Sequence, residues 1–234
     1  MRRFSLIEIA AQVVVFDLDD TLYLERDFAR SGFRALARHF GDRVGGDGFA
    51  SECSELLAEG TRGNVFDLAL SRNGITSKPE LIAELVAYYR SHAPDIAFCA
   101  DAARVLDRVS GFATGLITDG PKEAQSAKIA ALGLDRRLDH VIMTGTWGSE
   151  YSKPHPRAFE AIESLTSASQ GNVVYIADNG AKDFIAPRQL GWQTVQILRA
   201  DRIHPGTPAG PAAEADHIIT SFDELAIRPL AAPL

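Results

Sequence analysis

Six short apolar runs limit what this chain can fold into: VVVF at 13–16, TGLIT at 114–118, HVIM at 140–143, NVVYIA at 172–177, TVQIL at 194–198 and HIIT at 217–220. Each is too short for a helix and rich in β-branched residues, so each reads as a strand. The first has no polar alternation, which suits a strand covered on both faces, as in a parallel sheet. Between the runs the apolar period changes. Ala102, Val105, Leu106 and Val109 are spaced i, i+3, i+4, i+7, as are Ala158, Ala161, Ile162 and Leu165, so each set forms one stripe of a helix. Strand and helix in alternation imply an α/β protein built on a doubly wound parallel sheet. At 234 residues and 46% hydrophobic content, the chain can fill such a core and carry an insertion.

The insertion is expected at 22–95, where every apolar period is helical. Phe33, Leu36, Ala37 and Phe40 make one stripe, and Leu81, Ile82, Leu85, Val86 and Tyr89 another. Ser77 to Glu80 reads as a capping box opening the last of these helices, which ends near Ser91 before Pro94. Residues 1–21 and 96–234 then form the core, and 22–95 a smaller all-helical domain. The Pro, Gly and Ala content of 204–215 marks a surface loop, and a final helix is expected from Ser221, with Glu224 completing a second capping box.

Charge and cysteine content narrow the function. A formal net charge of -7 without a dense Lys/Arg run argues against nucleic acid or an anionic membrane surface as partner, which leaves small molecules. Cys53 and Cys99 belong to no CxxC or Cys/His cluster, so no disulfide framework or structural zinc is expected, and a reducing cytoplasm fits. The opening MRRFSLIEIAAQ is interrupted by Glu8 and Gln12 and reads as mature protein. No stretch is apolar for long enough to span a bilayer.

The chemistry gathers at strand ends. After VVVF come Asp17, Asp19 and Asp20. In an extended chain residues two apart share a side, about 6.6 Å apart, so Asp17 and Asp19 look into one space at the edge where open α/β sheets bind ligands. Such a cluster also suits a solvated turn capped by Asp20. Three other strand ends favour a site. Thr118, Asp119 and Gly120 precede Pro121 at a helix start, where a hydroxyl and free backbone N–H groups form a phosphate seat. Asp178 and Asp183 follow the run at 172–177, and four carboxylates on two strand ends call for a hard divalent cation such as Mg²⁺. Lys153, just before a helix, can balance both an aspartate and a phosphoryl group.

In this order, the D-x-D-x-T at 17–21, Thr118, Lys153 and the pair Asp178 and Asp183 resemble the haloacid dehalogenase-like hydrolase superfamily. The resemblance implies a Rossmann-like core, with 22–95 as a helical cap between the first and second motifs. The 32 residues at 121–152 leave no room for a large cap at the other site. It implies that Asp17 attacks phosphorus to form an aspartyl-phosphate and that Asp19 protonates the leaving oxygen, then activates water. Thr118 and the backbone N–H groups of Asp119 and Gly120 bind phosphoryl oxygens, and Lys153 steadies their charge. Asp17, the backbone carbonyl of Asp19 and Asp178 hold Mg²⁺, while Asp183 orients Lys153 or a metal-bound water.

Asp119 stands where the family often has Asn, so its side chain is assigned no role. Ala177 replaces a frequent Gly and His155 a frequent Asp; His155 reads as a helix-start residue. Dehalogenases of the superfamily attack carbon and need neither an acid at the position of Asp19 nor a metal. The expected function is therefore a Mg²⁺-dependent phosphatase acting on a small phosphorylated metabolite such as a sugar phosphate or nucleotide. A phosphomutase would use the same groups, and a metal-binding protein without activity could keep the aspartates. Arg26, Arg30 and Arg62 are the insertion's candidates for contact with an anionic substrate; oligomeric state is not legible.

Overall fold

The computed structural model describes residues 6–168 and 170–230; Arg2 and Arg3 of the opening segment lie outside them. Strands β1 (Ile7–Ala11) and β2 (Val13–Phe16) are followed by four helices, α1 (Glu25–Phe40), α2 (Asp47–Ala58), α3 (Val65–Arg72) and α4 (Pro79–Ser91). The chain then alternates through α5 (Ala100–Arg108), β3 (Ala113–Thr118), α6 (Lys122–Leu132), β4 (His140–Met143), α7 (Arg157–Thr166), β5 (Val173–Ala177), α8 (Ile185–Gln189), β6 (Gln193–Ile197), β7 (His217–Ile219) and β8 (Leu225–Pro229). No helix among the described residues is long and apolar enough to cross a membrane.

Six strands form one parallel sheet in the order β4-β3-β2-β5-β6-β7. The uniformly apolar β2 lies inside it, with Phe16 opposite both Leu116 and Ile176. Its residues alternate between two packed layers: Val14 and Phe16 join Leu106 and Phe222, while Val13 and Val15 join Phe159, Ile162 and Tyr175. Both faces are dry, so the strand needs no polar positions. From β2 the chain builds outwards through β3 and β4 on one side, then returns to start β5 on the other. That reversal opens a crevice beyond the carboxyl ends of β2 and β5, the general ligand site of open α/β sheets.

Helices α1 to α4 close around their own core of Phe33, Leu36, Phe40, Phe49, Cys53, Leu56, Leu70 and Leu85. The turn leading into them is set by Asp20, held at φ 52°, a left-handed conformation that Asp tolerates better than most residues. Its Oδ1 accepts from the Glu25 N–H at the start of α1 (2.9 Å) and its Oδ2 from the Ile203 N–H (2.6 Å). Asp20 thus serves the turn.

Three local expectations fail. The capping box at Ser221 forms, with Glu224 accepting from the Ser221 N–H at 2.9 Å, but it closes only one 3₁₀ turn. The chain then extends as β8, because Leu225 and Ile227, two apart, pack on the core and pair with Ile7 and Ile9 of β1. The Ser77 box does not form: the Ser77 hydroxyl donates to Asp67 (2.5 Å), a charged and therefore stronger acceptor. In the α7 stripe, Ala158 and Ile162 are buried but Leu165 is 56% exposed, as the helix ends one residue later at the rim.

A buried ion pair ties the periphery to the crevice. Arg199 donates from Nε and Nη2 to the Thr21 carbonyl (2.8 and 2.7 Å) and from Nη1 to Asp101 (3.1 Å), whose Oδ2 accepts from the Ser221 hydroxyl and the Phe222 N–H. Asp101→Ala would leave a buried guanidinium half-paired. We expect a loss of about 3 kcal/mol, read as a lower urea midpoint with an unchanged slope.

Candidate active site

Asp17 is the first residue beyond β2, pinned by its N–H to the Ile176 carbonyl at 2.9 Å. Lys153, 4% exposed, reaches it from the turn before α7: Nζ lies 2.5 Å from Asp17 Oδ1, 2.8 Å from Asp183 Oδ1 and 3.1 Å from the Tyr175 hydroxyl. Thr21 Oγ1 is 3.4 Å from the other Asp17 oxygen, and Asp183 Oδ2 accepts from the Asn179 N–H at 2.9 Å. Asp178 completes the group. Oxygens of Asp17, Asp178 and Asp183 lie within 4.8 Å of one another, and the buried Oδ2 of Asp178 has no hydrogen-bond partner among the described residues. Burial, opposed by Lys153, still pushes the Asp17 carboxyl up to about 7. Burial and then the charges of Asp17 and Asp183 push Asp178 up to about 9. Burial works against the Lys153 charge too, yet Asp17 and Asp183 hold its pKa well above the ordinary lysine value.

Asp19 faces the same cavity in a different setting. Its Oδ1 accepts from Lys128 Nζ (2.7 Å) and from the Tyr23 hydroxyl, and its Oδ2 lies 3.4 Å from the Gln125 amide. Burial alone would raise its pKa, but Lys128 and the bonds from Tyr23 and Gln125 outweigh it and hold the carboxyl below the usual range. Thr118, the last residue of β3, donates to Gln125 at 3.0 Å. Gly120 turns the chain towards α6 at φ 121°, a conformation side-chain-bearing residues rarely adopt.

The family model of haloacid dehalogenase-like hydrolases matches residues 11–191. The chain belongs to this family. Among curated relatives it is 29% identical to glyceraldehyde 3-phosphate phosphatase of Pyrococcus abyssi over 193 residues, covering 79% of this chain and 80% of the relative. Among solved structures it resembles the HAD hydrolase YfnB of Bacillus subtilis, bound to magnesium (TM-score 0.64, 14% identity, 92% and 96% coverage). It also resembles the L-2-haloacid dehalogenase of Xanthobacter autotrophicus (TM-score 0.59, 18% identity, 92% and 96% coverage).

Within this haloacid dehalogenase-like framework, Asp17, Asp19, Thr118, Asp119, Gly120 and Asp178 line one cavity, with Lys153 and Asp183 packed directly behind. The Asp119 side chain, expected to be idle, is a structural hub. It accepts from the Lys153 N–H (3.1 Å), the Thr144 hydroxyl (2.8 Å) and Lys182 Nζ (2.6 Å), so it anchors the turn that presents Lys153. Burial would raise its pKa, but Lys153 and Lys182 hold it low. Arg62 lines the cavity, although its Nη1 donates to the Leu57 and Thr61 carbonyls. Arg26 does not reach it: Asp201 holds its Nη1 at 2.5 Å. Arg30 borders a separate shallow groove with Arg34 and Asp95. Sequence reasoning missed Lys128, Gln125, Tyr23 and Lys182. Gln125 and Lys128 are three apart on the buried side of α6, which was a usable signal of a shared helix face.

The orphaned Asp178 oxygen and the hard carboxylate donors fit a divalent cation such as Mg²⁺. Without metal, Asp17 and Asp178 bind protons more tightly folded than unfolded, where Asp titrates near about 3.9. Their ionisation therefore erodes stability as pH rises from about 4 towards about 9, and a cation that requires the ionised form restores it. We expect Mg²⁺ to raise Tm more at pH 8 than at pH 6, with protons released on binding. Equal Tm gains across that range would contradict this assignment.

Proposed function

We propose that the protein is a Mg²⁺-dependent phosphatase that hydrolyses a small phosphorylated metabolite through an aspartyl-phosphate on Asp17. The observation carrying this reading is a charge deficit: three buried carboxylates, Asp17, Asp178 and Asp183, meet within 4.8 Å around Lys153, the one ammonium among the described residues that is ion-paired with any of them. A site that attacks carbon has no use for so much negative charge. A site that admits a cation and then a phosphoryl dianion does. The phosphatase name of the Pyrococcus relative and the magnesium bound to YfnB support the same reading.

In the first step an Asp17 oxygen forms a bond to phosphorus while the ester oxygen leaves, taking a proton from Asp19. In the second, Asp19 takes a proton from water, which attacks phosphorus, frees phosphate and restores the Asp17 carboxylate. Lys153 Nζ, the Thr118 hydroxyl and the Asp119 and Gly120 N–H groups offset charge on the phosphoryl oxygens. Mg²⁺, when bound, is held by Asp17, the Asp19 carbonyl and Asp178, and supplies further positive charge there. Asp19, ionised beside Lys128, suits the second step directly. The incoming phosphate dianion raises its pKa for the first. Helices α1 to α4 act as the cap that excludes water and reads the leaving group.

Phosphate release from monoesters tests this reading. We expect a chelator to abolish turnover and Asp17→Asn to remove it with the fold intact, as measured by circular dichroism. Asp19→Asn should lower kcat on an ordinary alkyl phosphate by about 10²- to 10⁴-fold. With an activated aryl phosphate, which needs no proton to leave, the same variant should give a burst near one equivalent of aryl alcohol. Equal slowing of both esters with no trapped phosphoenzyme would sink the two-step mechanism.

A further inference from the structure

The cavity between the crevice and the helical unit has a volume of about 570 Å³, within the range of about 300–1,000 Å³ typical of drug-sized ligands. Its two ends differ. At the sheet end stand Asp17, Asp19, Thr118, Asp178 and Lys182; on the side of the helical unit stand six apolar or aromatic side chains, Leu57, Val65, Phe66, Ile82, Val86 and Tyr89, beside the polar Thr61, Asp67 and Arg90. The Tyr89 hydroxyl is the only polar atom among those six side chains. All six are only half-buried: Leu57, Val65, Phe66, Ile82 and Tyr89 rest one side on the core of the helical unit, formed by Leu36, Phe49, Leu56, Leu70 and Leu85, and keep part of their surface uncovered. That uncovered apolar surface is available to a ligand.

Aromatic contacts hold this wall in place. Phe66 meets Tyr89 edge to face (5.7 Å between ring centroids), and both contact Phe33 (6.3 and 6.0 Å), so the wall is pre-formed. Most cations around the cavity are committed; the exception among the described residues is Arg90, which lines the cavity but is exposed to water. Lys128 is paired with Asp19, Lys182 with Asp119, Lys153 with Asp17 and Asp183, and Arg62 with two carbonyls of its own loop. Glu25 adds a carboxyl to the lining. A second anionic group would find only the exposed Arg90, whose charge water screens, and the hydroxyls of a sugar seated on the apolar side chains would be stripped of water against hydrocarbon, which costs free energy wherever no hydrogen bond replaces it.

Resting on the phosphatase reading, we propose that the substrate is a phosphate monoester whose leaving group is an uncharged alcohol with an aromatic or alicyclic body, seated against Val65, Phe66, Ile82, Val86 and Tyr89. This departs from the sugar phosphate or nucleotide expected at first. It also departs from the triose phosphate in the name of the Pyrococcus relative.

The test compares phosphate release from three esters of primary alcohols, 2-phenylethyl phosphate, propyl phosphate and glyceraldehyde 3-phosphate, so that the leaving oxygens are alike. We expect kcat/KM for the aromatic ester to exceed both others by on the order of 30-fold, the amount that burying one ring supplies. Phe66→Ser should shrink that ratio several-fold. Equal values, or a preference for the triose, would overturn the proposal while leaving the phosphatase reading intact. If no ester is hydrolysed, the phosphatase reading fails by itself, and calorimetry with 2-phenylethylphosphonate and 3-hydroxypropylphosphonate in Mg²⁺ decides the wall's preference. Tighter binding of the aromatic phosphonate, weakened by Phe66→Ser, would uphold it, and equal binding of the two would overturn it.

Discussion

Lys153 is buried with its ammonium between two carboxylates, Asp17 and Asp183, while a third, Asp178, stands close by with one oxygen unpaired among the described residues. In a low-dielectric interior neither charge sign could remain alone, because stripping water from an unpaired ion costs several kcal/mol or more. The lysine favours the ionised form of Asp17, the form that the proposed attack on phosphorus needs. In the proposed reaction the remaining excess of negative charge is what a divalent cation relieves, so that an anionic phosphoryl group can enter. Much of the surrounding structure serves to keep these groups within reach of one another.

The sheet supplies that proximity. β2 and β5 are hydrogen-bonded neighbours in space although about 160 residues apart in sequence, so Asp17 and Asp178 emerge side by side at one edge. Lys153 arrives on a turn rather than a strand and needs its own fastening. Asp119 provides it by accepting from the Lys153 backbone N–H, Thr144 and Lys182 at once. The Asp119 carboxylate, repulsive to a phosphate when read in the sequence, is thus already neutralised by protein donors. This is the general way in which a rigid scaffold and a few supporting hydrogen bonds hold a constellation of charges.

The helical unit divides its apolar surface between two tasks. Leu85 of α4 is fully buried in the unit's own core, whereas Ile82, Val86 and Tyr89 on the same helix border the cavity. Lys128 links the two halves, its ammonium paired with Asp19 of the core and lying 4.5 Å from the Phe28 ring centroid in α1. Any shift of α1 relative to the sheet would alter the surroundings of Asp19.

The sequence alone determined the alternation of strand and helix, the all-helical stretch after the first strand, and the order of Asp17, Thr118, Lys153 and Asp178, because these are carried by local period and by residue types at strand ends. His155 was legible as a helix-start residue for the same local reason; its ring accepts from the Arg157 N–H at 3.1 Å. Only the tertiary structure decided what those local patterns meet. β1 pairs with β8 across more than 200 residues, and Lys128 reaches Asp19 from 109 residues away. By sequence, a lysine on a helix reads as solvated and a stripe such as that of Leu81 to Tyr89 reads as core. Periodicity states which side of an element avoids water, but not whether that side faces another helix or an empty cavity, and a side chain's charge does not name its partner. Those choices are made by long-range packing, which brings Asp19 to Lys128 and leaves Ile82, Val86 and Tyr89 at a cavity that a ligand can fill.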